Sequence, residues 1–418
     1  MKKDLDSLME AAGLDVLLIT GSATHNPAMF YFTGNVHVHS ADLIKPRGKE
    51  PVMFCNPMER EEAASTGLET RNLAEYRYNE ILKEVGGDPA KATAVRYQRM
   101  FTDLGFTEGK VAIYGKMNAA WSFEVFTALQ SLLPELEIVG ELKAPVLSLA
   151  RETKDEDELA ETRKMGAITV EVVSNTAEFL KAHRSKDGVL VKEEGQPLTI
   201  GEVKSKINLW AAELGVENPH GTIFAIGRDA GVPHSNGNPD DVLTLGQTIV
   251  FDIFLQQPGG GYHFDFTRTW CLGYAPEKEQ ALYDDVRAVF DQLMNEELEA
   301  DMPFRTLQER TIDLFEEQGH ATTRQDPLIT EGYVHSVGHG LGLDIHELPF
   351  SRDEAATLKP GVIVTIEPGL YYPSEGMGCR IEDTVYVHQD GTIEVLADYP
   401  HDLVLEIKKV NTGMGLLS

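Results

Sequence analysis

The sequence predicts two domains of different class, an α/β domain over residues 1–152 and an α+β domain over residues 153–418. Three observations carry this. Short apolar runs alternate with helical patterns in the first part, as layered sheet and helix require. A charged run, Arg151-Glu152-Thr153-Lys154-Asp155-Glu156-Asp157-Glu158, then interrupts the pattern. From Thr222 onward strands and tight turns take over, broken by helical stretches near 277–300 and 306–318. A chain of 418 residues can build a separate core for each domain.

Leu5, Leu8, Met9 and Ala12 recur at helical spacing and stop at Gly13, after which Val16-Leu17-Leu18-Ile19-Thr20 reads as a buried strand. Lys110 to Gly115 reads as a strand, Ala119 to Leu133 as a helix and Leu136 to Val139 as a further strand. The charged run is expected to be a solvated helix start. It leads into a long amphipathic pattern through Leu159, Met165, Ile168, Val172, Val173, Phe179 and Leu180. Thr199 with Glu202 forms a capping box ahead of Val203, Ile207, Trp210 and Leu214, and Gly215 is a stop signal.

Acids outnumber bases by 67 to 37, for a formal net charge of −30. Such a balance argues against nucleic acid or an anionic membrane as partner. The start, Met1-Lys2-Lys3, meets Asp4 and Asp6 before any apolar run, unlike a signal peptide. No stretch approaches the ~20 apolar residues of a membrane span. Cys55, Cys271 and Cys379 are odd in number and widely spaced, so neither a disulfide framework nor a thiolate zinc site is indicated, and a cytoplasmic setting is expected. Cys379 should point to the strand face opposite Arg380 and serve in packing.

The chemistry sits in acids and histidines set within apolar strands. Thr248-Ile249-Val250-Phe251-Asp252-Ile253-Phe254-Leu255 places a carboxylate in a β-prone run, which is costly unless a cation or donor meets it. After Pro258-Gly259-Gly260-Gly261 the chain returns through Tyr262-His263-Phe264-Asp265-Phe266-Thr267. The bland reading is a hairpin with two solvent-facing acids. A hairpin symmetric about the Pro258–Gly259 bond instead sets Asp252 directly opposite Asp265, an arrangement that calls for a cation between them. Glu367 and Glu382 repeat the pattern around the turn Pro373-Ser374-Glu375-Gly376, although Pro368 interrupts that ladder.

Between the hairpins lies His335-Ser336-Val337-Gly338-His339-Gly340-Leu341-Gly342-Leu343-Asp344-Ile345-His346-Glu347. The glycines exclude a helix and imply backbone packed closely, with His339 held in a fixed orientation. A lone histidine is ordinarily a core or surface residue. Three in twelve residues beside two acid pairs point to a metal site. Four carboxylates and one imidazole, with no thiolate, favour manganese and also accept cobalt, iron or zinc. Four carboxylates suit two ions about 3.5–4 Å apart, a site built for hydrolysis.

Asp265-Phe266-Thr267-Arg268-Thr269, Gly338-His339-Gly340-Leu341-Gly342, Ile366-Glu367-Pro368-Gly369 and Arg380-Ile381-Glu382-Asp383, in this order, resemble the pita-bread metallopeptidases: methionine aminopeptidase, aminopeptidase P and prolidase. Gly13-Leu14-Asp15-Val16-Leu17-Leu18 and Phe30-Tyr31-Phe32-Thr33-Gly34 are similar to the non-catalytic domain of prolidase, aminopeptidase P and creatinase. The resemblance implies a creatinase-like α/β domain followed by a pita-bread catalytic domain, two divalent ions, and cleavage of the bond before proline in short peptides with proline second. It implies Asp252 on one metal, His339 and Glu367 on the other, and Asp265 and Glu382 bridging both. His234 would contact substrate near the scissile bond, His346 would hold the carbonyl or its tetrahedral successor, and Glu367 would also shuttle protons. His335 resembles the histidine lining the proline pocket, and Arg380 would lie beside Glu382. A homodimer or higher homo-oligomer is also implied. Other expectations on the same fold are a lyase or creatinase-like hydrolase, and a binding protein without catalysis; the second usually lacks ligands that this chain retains. One departure stands out. Phe254 occupies a place where the family usually has glycine, and the two aspartates are thirteen residues apart rather than about eleven.

Overall fold

A computed structural model of the protein describes residues 4–143 and 145–409. Met1, Lys2 and Lys3, on which the reading of the N-terminus rests in part, lie outside the described residues. The chain forms two compact units, Met1–Arg151 with Pro258–Gly261, and Glu152–Gln257 with Tyr262–Ser418.

In the first unit, α1 (Leu5–Ala11) ends before Gly13, whose φ of 66° needs a residue without a side chain. Strands β1 (Val16–Gly21), β2 (Ala41–Pro46), β3 (Val52–Cys55) and β4 (Glu69–Asn72) are followed by α2 (Pro89–Leu104), β5 (Gly109–Gly115), α3 (Ala119–Leu132) and β6 (Leu136–Val139). The sheet order is β4-β3-β2-β1-β5-β6, with β1 antiparallel to β2 and parallel to β5. Val16 to Ile19 are fully buried because both faces of β1 are covered, which is why the run has no alternation.

The second unit starts with α4 (Glu156–Ala182), capped by Asp155 and Glu158 in a reciprocal box, and α5 (Ile200–Glu213), capped the same way by Thr199 and Glu202. These helices cover one face of β7 (Thr222–Ile226), β8 (Thr248–Gln256) and β9 (His263–Leu272). Ile249, Phe251, Ile253 and Leu255 of β8 and Phe264, Phe266 and Trp270 of β9 fill that interface. A Cβ on Gly166 would lie 2.7 Å from the Phe264 ring, so the glycine lets α4 close on the sheet. Period-2 alternation sends Asp252, Asp265 and Thr267 to the other face.

Helices α6 (Glu277–Gln292) and α7 (Phe304–Glu317) follow; α6 gives way to a π turn at Leu293–Glu297, so it stops short of the residue 300 expected. Strands β10 (His339–Gly340), β11 (Glu347–Phe350), β12 (Ile363–Ile366), β13 (Gly369–Tyr372), β14 (Met377–Arg380), β15 (Asp383–Val387), β16 (Ile393–Val395) and β17 (Val404–Leu405) come next. They give a sheet β11-β10-β12-β15-β16, a β13–β14 pair, and β17 at the edge of β9.

Two expectations are corrected. Arg151, Glu152 and Lys154 are buried rather than solvated; Glu152 pairs with Lys359 and Lys154 with Glu347 inside the second unit. Only the stretch from Asp155 to Asp157 is exposed. The β8–β9 hairpin is centred between Gly259 and Gly260, both at positive φ, so Asp252 faces Thr267 and Asp265 faces Phe254. The two aspartates are therefore diagonal neighbours, not a directly opposed pair. A shift of two residues keeps both on one face.

Candidate active site

The register around the second acid pair is the one the symmetry predicted. Ile366 pairs with Asp383 in one sheet and Gly369 with Arg380 in the other, so Glu367 and Glu382 stand opposite each other in the gap made by Pro368. A single bridge, Thr267 to Glu382, joins this gap to β9. Two acid pairs from separate hairpins thus meet. His339 arrives from β10, whose backbone lies so close to its neighbours that a Cβ on Gly338 would sit 1.9 Å from the Thr365 carbonyl oxygen. The same test at Gly340 gives 2.2 Å to the Leu348 carbonyl oxygen, so only glycine fits on either side of this histidine.

The nine residues singled out from the sequence, His234, Asp252, Asp265, His335, His339, His346, Glu367, Arg380 and Glu382, all line one cavity of about 640 Å³. His339 Nδ1 donates to the Gly340 carbonyl at 3.0 Å, which leaves Nε2 as an acceptor aimed at Asp265 Oδ2 (3.7 Å) and Glu367 Oε1 (3.4 Å). Ligand atoms of Asp265, His339 and Glu382 lie within 4.8 Å of one another. Burial and then the Glu382, Asp252 and Glu367 charges raise the Asp265 carboxyl well above the usual range, with Arg380 opposing. Burial and the Glu367 and Asp252 charges do the same to Glu382. Burial lifts Glu367 to about 7, and it lowers His335 and His339 to about 3, so both imidazoles are neutral.

Arg380 holds one edge of the cluster. It donates to Asp252 Oδ2 at 2.5 Å and to the Tyr371 hydroxyl at 2.6 Å. Among the described residues Asp252 Oδ1 is buried with no hydrogen-bond partner. A cluster of four acids that repel one another, an oxygen with no donor and an acceptor imidazole fit divalent cations far better than they fit an empty core. Cys379 packs in the core behind Arg380, as strand alternation requires.

Three supporting residues lie outside the set that the sequence predicts. Tyr371 donates to His335 Nε2 (2.9 Å) while accepting from Arg380; Thr267 donates to Glu382 Oε2 (2.7 Å); and Thr365 donates to Glu367 Oε1 (3.3 Å) while accepting from the His339 amide. Strand parity would have found two of them, since Thr267 lies two residues from Asp265 and Thr365 two from Glu367. Tyr371 carried no comparable signal.

A largely buried nest of carboxylates opening into a cleft of histidines defines a metal-dependent enzyme. The profile of metallopeptidase family M24 matches residues 160–389, and that of the creatinase/prolidase N-terminal domain matches residues 2–142. The chain belongs to metallopeptidase family M24, with a creatinase-type domain ahead of its catalytic domain. It is 28% identical over 279 residues to the Xaa-Pro dipeptidase of Pyrococcus furiosus, covering 64% of this chain and 76% of that protein. It is 30% identical over 275 residues to the probable dipeptidase PepE of Mycobacterium tuberculosis, covering 66% of each. The solved Xaa-Pro dipeptidase from Bacillus anthracis has the same fold, with a TM-score of 0.72 at 22% identity over 96% of this chain and 98% of that one. Among the described residues no helix is long and apolar enough to cross a membrane.

Proposed function

We propose that the protein hydrolyses the Xaa-Pro bond at the amino end of short peptides, using two divalent ions, manganese by preference, with cobalt, zinc or iron as substitutes. The convergence of Asp252, Asp265, His339, Glu367 and Glu382 in one cavity with His234, His335 and His346 carries the reading. The two relatives named as dipeptidases support dipeptides as the main substrates.

Asp252 would hold one ion, His339 and Glu367 the other, and Asp265 and Glu382 would bridge them. The ions would supply a water ionised near neutral pH and a Lewis acid for the carbonyl. Glu367 would take the water's proton and pass it to the departing proline nitrogen. His234 and His346 would donate to the carbonyl oxygen as it gains charge. His335, pinned by Tyr371 and the Ser336 carbonyl, would form a wall of the proline pocket. Arg380 would fix Asp252 and offset the acid cluster.

We place the functional boundary between residues 152 and 153, and we expect a cytoplasmic homodimer or higher homo-oligomer. The test is a length series of Xaa-Pro peptides assayed with each metal. Turnover of dipeptides supports the reading, and turnover confined to longer peptides converts it to aminopeptidase P. Bound metal without cleavage of any Xaa-Pro peptide favours a lyase or another hydrolase on this fold.

A further inference from the structure

His346 makes no hydrogen bond among the described residues; its ring meets that of His339 edge-on, with centroids 4.2 Å apart. Its aim into the cavity is therefore set by its backbone. The next residue, Glu347, opens β11 and turns the other way, into the protein, where its Oε1 lies 2.5 Å from Lys154 Nζ. Both side chains are buried, at 6% and 1% exposure. Lys154 is itself anchored: its amide donates to the Gly361 carbonyl at 2.7 Å, and Thr153 bridges Val362, the residue before β12, which leads to Glu367. The loop joining His339 to His346 lies directly on the pair. A Cβ on Gly342 would be 2.2 Å from Glu347 Oε1 and 3.0 Å from Lys154 Cε, and the Gly342 carbonyl accepts from the His263 amide at 2.7 Å.

We propose that the buried Lys154–Glu347 pair is a clamp that positions His346 over the reacting carbonyl. The inference rests on the role given to His346 above. Adjacency in the chain is the lever: His346 immediately precedes β11, so holding Glu347 inward fixes the backbone that carries His346 into the cavity. Neither Lys154 nor Glu347 is among the residues lining the cavity; they act through the histidine. The same pair accounts for a buried lysine within a charged run that would otherwise lie in solvent.

The test uses the full-length protein, wild type and Lys154→Met, each with and without His346→Ala. Zinc-loaded protein is used for NMR of the histidine rings and manganese-loaded protein for turnover of an Xaa-Pro dipeptide. In the wild-type background Lys154→Met should lower kcat about 10- to 100-fold with KM nearly unchanged, the effect of a displaced group. In the His346→Ala background it should lower kcat less than about twofold, because the two sites act as a unit. The His346 ring resonance, identified by its loss in His346→Ala, should shift or broaden in Lys154→Met while those of His388 and His401 stay put. Equal losses of kcat in both backgrounds, or an unmoved His346 resonance, would overturn the clamp. Should Lys154→Met not fold, Lys154→Met with Glu347→Leu replaces the pair by apolar groups and is subject to the same criteria. Absence of Xaa-Pro turnover in the wild type would count against the functional reading alone, and the NMR comparison would then decide the clamp.

Discussion

Replacing Asp265 with Asn should move the stability of the metal-free and metal-loaded protein in opposite directions. Asp265 is 5% exposed, and its carboxylate lies within 4.8 Å of a Glu382 oxygen. At an effective dielectric constant of about 20, two charges at that separation repel by about 3.5 kcal/mol. Arg380 and partial protonation offset part of this, leaving a relief of about 1–2 kcal/mol when the charge is removed. Asn keeps the oxygen that accepts from the Phe266 amide at 3.0 Å, so the local backbone is not disturbed. Since burial and neighbouring acids raise the folded-state pKa of Asp265, the relief is absent in acid and grows as pH rises through that pKa. Calorimetry in chelator at pH about 8 should show the variant melting about 2–4 °C above wild type. With saturating manganese the order should reverse, because the variant lacks a bridging ligand, and peptide hydrolysis should be lost. A variant with unchanged melting in chelator, or with full metal binding and turnover, would refute the reasoning.

Four further outcomes follow from the same geometry. The metal-free protein should lose stability as pH rises from about 4.5 toward the Glu367 value of about 7, because raised carboxyl groups bind more protons folded than unfolded; melting temperatures across pH check this. Metal binding near neutral pH should release protons, read by calorimetry in buffers of different ionisation enthalpy. Tyr371→Phe removes the donor to His335 and the acceptor for Arg380, and should lower kcat/KM for an Xaa-Pro dipeptide about tenfold, or about 1.4 kcal/mol, in steady-state assays. Arg268 pairs with Asp383 and donates to the Glu382, Thr267, Tyr399 and Pro400 carbonyls, so Arg268→Met should cost about 3–5 kcal/mol in urea unfolding.

What could be read in advance was governed by local pattern. Asp252, Asp265, Glu367 and Glu382 stood out because an acid inside a β-prone run needs a reason, and strand parity placed each pair on one face. The glycines around His339 were legible for the same kind of reason, since backbone approach leaves no room for a side chain. The hairpin register was not, because Gly259 and Gly260 both take positive φ and move the turn's centre by one residue. The burial of Lys154 has no local signal, because its partner, Glu347, is 193 residues away. Tyr371 carries no such signal, because a tyrosine in a strand is ordinary until the fold sets its hydroxyl between His335 and Arg380.

The most direct measurement is metal content by elemental analysis, paired with hydrolysis of Xaa-Pro dipeptides by the same preparation. Two divalent ions per chain, with turnover lost in chelator and restored by manganese, is the predicted result. Metal bound at full stoichiometry with no cleavage of any Xaa-Pro peptide would contradict the assignment.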